Sequence, residues 1–324
     1  MTRFFAAVWI TALLLSGAAP SSALELPASI IVRAGKADSL YHALAVQFAA
    51  ALADGNNALT PVVEESQGSV QNILDAPHRI GNYVFTAPPS LIAQAKRGDK
   101  PFERNTHYRD IRALFPIPAQ TLHWAVRADS GVKTFADLAG RPFIPGGKGS
   151  FGERQTASVL HVLGLESSVQ LIDIDTSGAQ KAVVEKQVIG AALAGTFPMP
   201  AVTELVEATP IRLLSLSPDE LAKVLAADDS IIAQTIPGGT YPGIDEAVTT
   251  IAQPAGAYTT DRMSEAMAYA ITKAFWSQKS ALAARNPPWA AVTPATLAAL
   301  GVKLHKGALR YYREAGIKVP AALR

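Results

Sequence analysis

The spacing of hydrophobic residues along this chain alternates between a pattern typical of strands and one typical of helices. Residues 29–34 form a short apolar run ended by Gly35, which favours a buried strand. Over 38–52 the apolar residues recur at helical spacing and predict a helix with one buried face. The same alternation predicts further strands at 61–65, 83–86, 111–116, 122–127, 141–144, 169–174, 188–194, 211–216 and 249–257, and helices opening at Ser69 and covering 134–138, 150–163, 177–185, 199–208, 261–284 and 306–315.

This order of elements predicts an α/β protein of two lobes. Strand–helix–strand units imply mainly parallel sheets flanked by crossover helices. A second series of such units begins at Arg141, and we interpret it as a lobe inserted into the first, with strands crossing between the lobes near 122–128 and 240–257. The predicted division is a signal peptide at 1–23, a discontinuous lobe I at 24–122 plus 245–324, and lobe II at 123–244.

Two strand–helix junctions contain a Gly-Ser step and predict an anion site. Ligands of parallel sheets bind outside the carboxyl ends of the strands, where the Gly68-Ser69 step and Thr86 fall in lobe I and the Gly149-Ser150 step falls in lobe II. A glycine before a serine N-cap lets a ligand approach the backbone closely, and the free N–H groups and the helix dipole attract negative charge. The pair of junctions predicts a small anion held between the lobes, and binding more than catalysis.

The N-terminal segment has the features of a secretory signal peptide. Arg3 supplies the basic start, residues 4–15 form a short apolar core, and residues 21–23 fit a small-x-small cleavage site. The apolar core is too short to span a bilayer comfortably, so we expect cleavage after Ala23 and a mature protein in the periplasm of a Gram-negative cell.

Composition and charge exclude several classes of protein. A hydrophobic content of 49% with 17% charged residues is typical of a globular protein and not of a disordered one. The formal net charge is +2 and the basic residues are scattered, so no nucleic-acid partner is expected. There is no cysteine, and the six histidines show no metal-ligand spacing, so we expect no disulfide, no metal site and no cofactor.

One motif supports a different interpretation. Gly147, Gly149 and Gly152 match the pattern GxGxxG between a predicted strand and a predicted helix, and Asp173 and Asp175 follow at about the distance found in dinucleotide-binding folds. The chain's first strand–helix–strand unit lacks this motif, and a glycine-rich anion loop would have the same appearance. An exported NAD(P)-dependent oxidoreductase that uses the 147–152 loop is therefore an alternative.

A series of short segments, weak one by one but specific in their order, extends through nearly the whole mature chain. The segments are 35–41, 67–72, 130–140, 149–150, 236–243, 305–308, 311–312 and 314–316. In this order they resemble the TAXI group of solute-binding proteins, which belong to tripartite ATP-independent periplasmic (TRAP) transporters.

The resemblance implies a type II-like periplasmic binding protein with the ligand cleft between its two lobes. At matching positions it implies that the cleft is lined by Ser39, Tyr41, Ser69, Asn72 and Ser150, faced from lobe II by Thr196 and Pro198. This chain departs from the family pattern within 36–41, after Ser150 and at 86–88, so the resemblance leaves the identity of the organic anion open.

The resulting prediction is a periplasmic solute-binding protein and not an enzyme. It captures a small organic anion, in the first place a carboxylate, by hinge closure and delivers it to the membrane subunits of a TRAP permease. Ser69 and Ser150 with their following N–H groups would hold the carboxylate, and Tyr41 and Asn72 would add directional hydrogen bonds. Arg154 is either a charge partner of the anion or a solvated surface residue. We expect a monomer; a ligand-binding sensor for a membrane receptor is the alternative.

Overall fold

The fold is described from a computed structural model, for residues 28–324. The predicted signal peptide and its cleavage point lie outside the described residues. The strands are β1 (Ala28–Arg33), β2 (Leu59–Glu64), β3 (Tyr83–Ala87), β4 (Ile111–Arg127), β5 (Pro142–Ile144), β6 (Gln170–Leu171), β7 (Gly190–Gly195), β8 (Ile211–Leu213), β9 (Ile232–Ile236) and β10 (Val248–Thr260). The helices are α1 (Leu40–Gly55), α2 (Ser69–Asp75), α3 (Pro89–Arg97), α4 (Phe151–Val162), α5 (Thr176–Val184), α6 (Pro200–Ala208), α7 (Pro218–Ala227), α8 (Glu265–Arg285) and α9 (Lys306–Glu314).

These strands form one mixed sheet in the order β2-β1-β3-β10-β4-β7-β5-β6, with β8 paired to β4 and β9 paired to β10. Strands β1, β2 and β3 are parallel to one another, and so are β5, β6 and β7. The long strands β4 and β10 are antiparallel to each other and join the two parallel groups. The predicted α/β class, with its strand–helix–strand units, is confirmed.

The two strands predicted at 111–116 and 122–127 are a single strand, β4, of 17 residues. The prolines between them suggested a turn, because proline cannot donate a ladder hydrogen bond. Strand β10 nevertheless pairs with β4 on both sides, with a register shift between Gln253 and Ala255. Pro118 falls inside this bulge, where a missing N–H is tolerated, so the strand continues from one lobe into the other.

Buried apolar side chains cluster separately on the two sides of this crossing. One cluster draws on residues 30–117 and 255–323 and includes Phe115 and Trp289. Two others draw on residues 122–251 and include Trp124 and Tyr241. The fold is therefore two-lobed, whereas the bounds at 122/123 and 244/245 stay a prediction.

Some elements of lobe II differ from the sequence-based expectation. Helix α7 and strand β9 were not predicted, although α7 opens with a capping box in which Ser217 and Glu220 bond each other's backbone N–H groups. The helix predicted at 134–138 is only a 3₁₀ turn, Ala136–Leu138. Within residues 28–324, no helix combines the length and the apolar character needed to cross a membrane.

Candidate functional site

The first strand–helix junction of lobe I is held by its own side chain. Ser39, rather than the neighbouring Asp38, is the N-cap of α1; its hydroxyl accepts the N–H of His42 at 3.2 Å and donates to the carbonyl of Lys36 at 2.7 Å. Ser39 therefore fixes the loop that follows β1, and its hydroxyl is already hydrogen-bonded without a ligand.

The second junction differs from the prediction in one position. Gly68, not Ser69, is the N-cap of α2, and its φ of 115° lies in a region that residues with a side chain rarely adopt. Ser66 accepts the N–H of Gly68 at 3.1 Å, so the turn closes one residue earlier than a serine cap would require. Ser69 becomes the first helical residue, and its hydroxyl makes no hydrogen bond within residues 28–324. Because α2 has only seven residues, its dipole is a minor source of attraction for an anion.

Asn72 links the two strands that end at this edge. It is fully buried, and its amide nitrogen donates to the carbonyls of Ala34 at 2.7 Å and Thr86 at 3.2 Å. These bonds connect α2 to the ends of β1 and β3. The amide oxygen of Asn72 is buried and has no partner, so Asn72 supports the sheet edge and still offers an acceptor.

Two more predicted site residues have buried polar atoms without partners. The hydroxyl of Thr86, on a fully buried residue, makes no hydrogen bond, and neither does the hydroxyl of Tyr41. Burial raises the pKa of the Tyr41 phenol above its ordinary value, so it is a protonated donor near neutral pH. Buried polar groups without a partner are uncommon in native proteins. Three such groups fall here on residues selected beforehand from the sequence.

The structure adds Arg33 and His42, which the sequence reasoning did not select. Arg33 ends β1 and forms ion pairs with Glu64 at 3.3 Å and Asp75 at 3.2 Å. Its Nε and the Nδ1 of His42 are both buried without a partner. The signal for Arg33 was a lone charge at the end of an apolar strand. Because two carboxylates face this one guanidinium, the three side chains together carry a net negative charge. They therefore do not attract the anionic end of a ligand to lobe I.

In lobe II, Ser150 is the N-cap of α4, as predicted, and accepts the N–H of Glu153 at 3.1 Å. The carboxylate of Glu153 turns back and accepts the N–H of Gly149. Arg154 is exposed and donates to the carbonyl of Gly149 at 2.6 Å. The loop is therefore closed by its own side chains, which leaves Phe151 and Gly152 with the N–H groups available to an anion.

The segment after β7 carries the remaining two predicted residues. Thr196 is half-buried and Pro198 is exposed. The segment ends at Met199, whose N–H donates to the hydroxyl of Tyr241 at 2.9 Å, and Tyr241 in turn bonds Nε2 of His123 at 2.9 Å. Burial lowers the pKa of His123 to about 4, so the imidazole is neutral and accepts from Tyr241. This pair positions the segment and was not predicted.

The structure brings only part of the predicted site into contact. Asn72 and Thr86 are joined by a hydrogen bond, and Ser39, Tyr41 and Ser69 lie at the neighbouring junctions of lobe I. Among residues 28–324, no hydrogen bond connects these residues with their predicted counterparts in lobe II, so one common pocket stays a prediction. No group of three His, Asp or Glu side chains in this range is arranged to hold a metal ion.

The chain is similar to one protein family and, to different degrees, to several solved structures. The profile of the NMT1-like family matches residues 32–316. MatC from Rhodopseudomonas palustris, solved with bound malate, is similar with a TM-score of 0.52 and 13% identity over 83% of this chain and 91% of that one. The periplasmic binding protein BugD gives a TM-score of 0.49 and 12% identity over 90% and 99% of the two chains. The periplasmic aliphatic sulphonate binding protein SsuA from Escherichia coli gives 0.44 and 14% over 89% and 83%.

Proposed function

Because the chain belongs to the NMT1-like family, whose members are substrate-binding proteins of transporters and not enzymes, we propose that it is a periplasmic solute-binding protein for a small organic anion, in the first place a carboxylate. In this proposal it is the TAXI component of a TRAP transporter, is exported with cleavage after Ala23, and delivers its ligand to the membrane subunits as a monomer. The family assignment removes the support for an exported oxidoreductase.

The observation that carries the proposal is the group of unpartnered polar atoms at the carboxyl ends of β1 and β3. Tyr41, Asn72 and Thr86 contribute two hydroxyls and one amide oxygen, all buried. Leaving each such group without a partner costs about 1–3 kcal/mol of folding free energy. A ligand that hydrogen-bonds all three would recover this cost on binding, so the protein keeps a specific pocket at some expense of its own stability.

The arrangement of charge supports an orientation for the ligand. In lobe I, the guanidinium of Arg33 is paired with two carboxylates, Glu64 and Asp75, and the unpartnered atoms of Tyr41, Asn72 and Thr86 are uncharged. In lobe II, α4 has 12 residues and free N–H groups at its first turn. We therefore place the carboxylate at Ser150 and α4 and the uncharged part of the ligand at Asn72 and Thr86.

Hinge closure would follow from the two long strands. Among the strands of residues 28–324, only β4 and β10 cross between the lobes, and their pairing is interrupted by the bulge that contains Pro118. Interrupted ladders bend more easily than regular ones. A ligand that contacts both lobes favours the closed form because it gains the second set of contacts only there.

The test is thermal unfolding of residues 24–324 with a panel of small carboxylates, amino acids, sulfonates and nicotinamide nucleotides. A ligand at a hundred times its dissociation constant stabilises by about 2.7 kcal/mol. Stabilisation by one class of organic acids supports the proposal, and stabilisation only by NAD or NADP contradicts it. Transport is distinguished from sensing by reconstituting the protein with its membrane subunits and measuring uptake of that acid.

A matched pair of variants tests the pocket. Tyr41→Phe should weaken binding about tenfold, because it removes one buried hydrogen bond to the ligand. Tyr311→Phe is the control, since Tyr311 is a half-buried tyrosine on α9 whose hydroxyl makes no hydrogen bond within residues 28–324. Equal affinities of the two variants would exclude Tyr41 from the pocket.

A further inference from the structure

A cavity of about 700 Å³ opens in lobe II. One wall is β8 with its flanking residues, between 210 and 215, and the other is the segment 243–248 that leads into β10. None of the nine predicted site residues lines it. It lies at the end of β4 near Arg127, whereas the predicted ligand site lies near the other end of β7.

The cavity lies in a fork of the sheet, formed where β8 and the start of β10 separate. At its closed end Leu216 donates to the carbonyl of Thr249 at 2.9 Å, and Thr249 donates to the hydroxyl of Ser215 at 3.0 Å. Beyond that point β8 stays paired with β4, and the start of β10 stays paired with β9. The two branches separate, and no strand of the described residues fills the space between them.

One wall of the fork is an open strand edge. Leu214 donates to the carbonyl of Trp124 at 2.9 Å, so these two residues form a hydrogen-bonded pair of the antiparallel strands. Because the hydrogen-bonded positions alternate, the backbone groups of Ile211 and Leu213 point away from β4 and into the cavity. Two N–H and two C=O groups are therefore presented at strand spacing with no partner strand.

The walls also carry opposite charges that do not meet. Lys133 and Arg212 line one side, and Asp245 and Glu246 line the other. Arg212 donates to the carbonyl of Val132 at 2.9 Å, but none of the four forms an ion pair with a described residue. An occupant with one acidic and one basic group would be paired on both sides.

We propose that this fork is a binding site for an extended polypeptide segment of another protein, which adds as a strand to the outer edge of β8. Only a polypeptide supplies both features that the fork lacks, alternating N–H and C=O groups at strand spacing and side chains of both charges. A small zwitterion would pair the charges but leave the backbone of Ile211 and Leu213 unsatisfied. The site does not depend on the proposed solute and lies outside the predicted cleft.

The experiment uses residues 24–324 and a fluorescent seven-residue peptide, blocked at both ends, of alternating threonine and valine with one glutamate and one lysine. Fluorescence anisotropy should show saturable binding with a dissociation constant below about 1 mM, which is typical of short added strands. The same peptide with N-methyl groups on alternate residues cannot complete the ladder and should bind at least about tenfold more weakly. Lys133→Glu should weaken binding about threefold, whereas Lys223→Glu, an exposed lysine on α7, should leave it unchanged.

Three results would overturn the proposal. The first is the absence of binding at 1 mM peptide, where circular dichroism shows that the protein and its variants are folded. The second is equal binding of the N-methylated peptide, which would exclude strand addition. The third is displacement of the peptide by another occupant. Complete displacement by free amino acids would make the occupant a small molecule, and self-association of the protein, seen in sedimentation and displacing the peptide, would make it a second copy of the chain.

Discussion

Replacing Thr86 with valine tests whether the unpartnered polar atoms of lobe I exist to bind a ligand. Thr86 is fully buried on β3 and its hydroxyl has no partner, whereas Thr250 is fully buried on β10 and its hydroxyl donates to the carbonyl of Leu122 at 2.8 Å. Valine has the same shape as threonine without the hydroxyl. The two substitutions therefore differ in whether a hydrogen bond is lost.

The expected changes in stability have opposite signs. Removing a buried hydroxyl that has no partner recovers its desolvation cost, so Thr86→Val should raise the free energy of unfolding by about 1 kcal/mol. Thr250→Val loses a hydrogen bond and should lower it by about 1 kcal/mol. The unfolding entropy of a chain of this length is about 0.6 kcal/mol per kelvin, so each change moves the unfolding midpoint by about 2 °C.

The expected changes in ligand affinity separate the variants again. Thr86→Val should weaken binding about tenfold, because the bound ligand then lacks one buried hydrogen bond, and Thr250→Val should not change it. Circular dichroism melts without ligand give the first quantity and calorimetric titration with the identified acid gives the second. A loss of stability in Thr86→Val as large as that in Thr250→Val would refute the reasoning, because it would mean that the Thr86 hydroxyl is satisfied within the protein.

Three other predictions concern residues around the two lobes. Asn72→Asp should lower the free energy of unfolding by about 3 kcal/mol in urea titrations, because a carboxylate cannot donate to the carbonyls of Ala34 and Thr86; a loss below about 1 kcal/mol would contradict this role. Burial lowers the pKa of His123 to about 4, so between about pH 4 and 6.5 the folded state binds fewer protons than the unfolded state. The free energy of unfolding should therefore fall by about 3 kcal/mol as the pH drops through this window. His123→Gln should remove that slope from urea midpoints measured across the window, and an unchanged slope would assign it to other groups. The double variant Ser69→Ala with Ser150→Ala should weaken ligand binding at least about tenfold, and the loss of the Ser150 cap should lower the free energy of unfolding by about 1 kcal/mol. The single Ser69→Ala variant is the control for stability, because Ser69 is not a cap. Unchanged affinity in the double variant would exclude the proposed carboxylate position.

Much of the fold could be predicted because local signals agreed with the final contacts. The helical spacing over 38–52 located α1, and the Gly149-Ser150 step located the start of α4. The continuity of β4 could not be predicted, because the tolerance for its prolines depends on a bulge against β10, a strand about 130 positions further along the chain. Local sequence carries no record of such a partner.

The structure gives several predicted site residues roles within the fold, and their part in ligand binding stays a prediction. Asn72 was selected as a ligand contact, but most of its hydrogen-bonding capacity holds β1 to β3. Ser69 was placed at the N-cap, yet the positive φ needed there fits Gly68. Arg154 was a candidate partner for the anion, but its guanidinium bonds the carbonyl of its own loop. Each difference arises because a side chain's partners are set by tertiary packing, whereas the sequence pattern shows only which element it belongs to.

The antiparallel pairing of β4 with β10 has a consequence for how the chain reaches its native state. Thr121 lies opposite Ala252, so this pairing closes a loop of about 130 residues. Closing such a loop in an unstructured chain costs about 4 kcal/mol of entropy, whereas a middle segment that has already folded brings its two ends side by side. Folding should therefore begin within 123–244. The pairing of β4 with β10 should be among the last parts of the sheet to form, and its formation should be the slowest step of refolding.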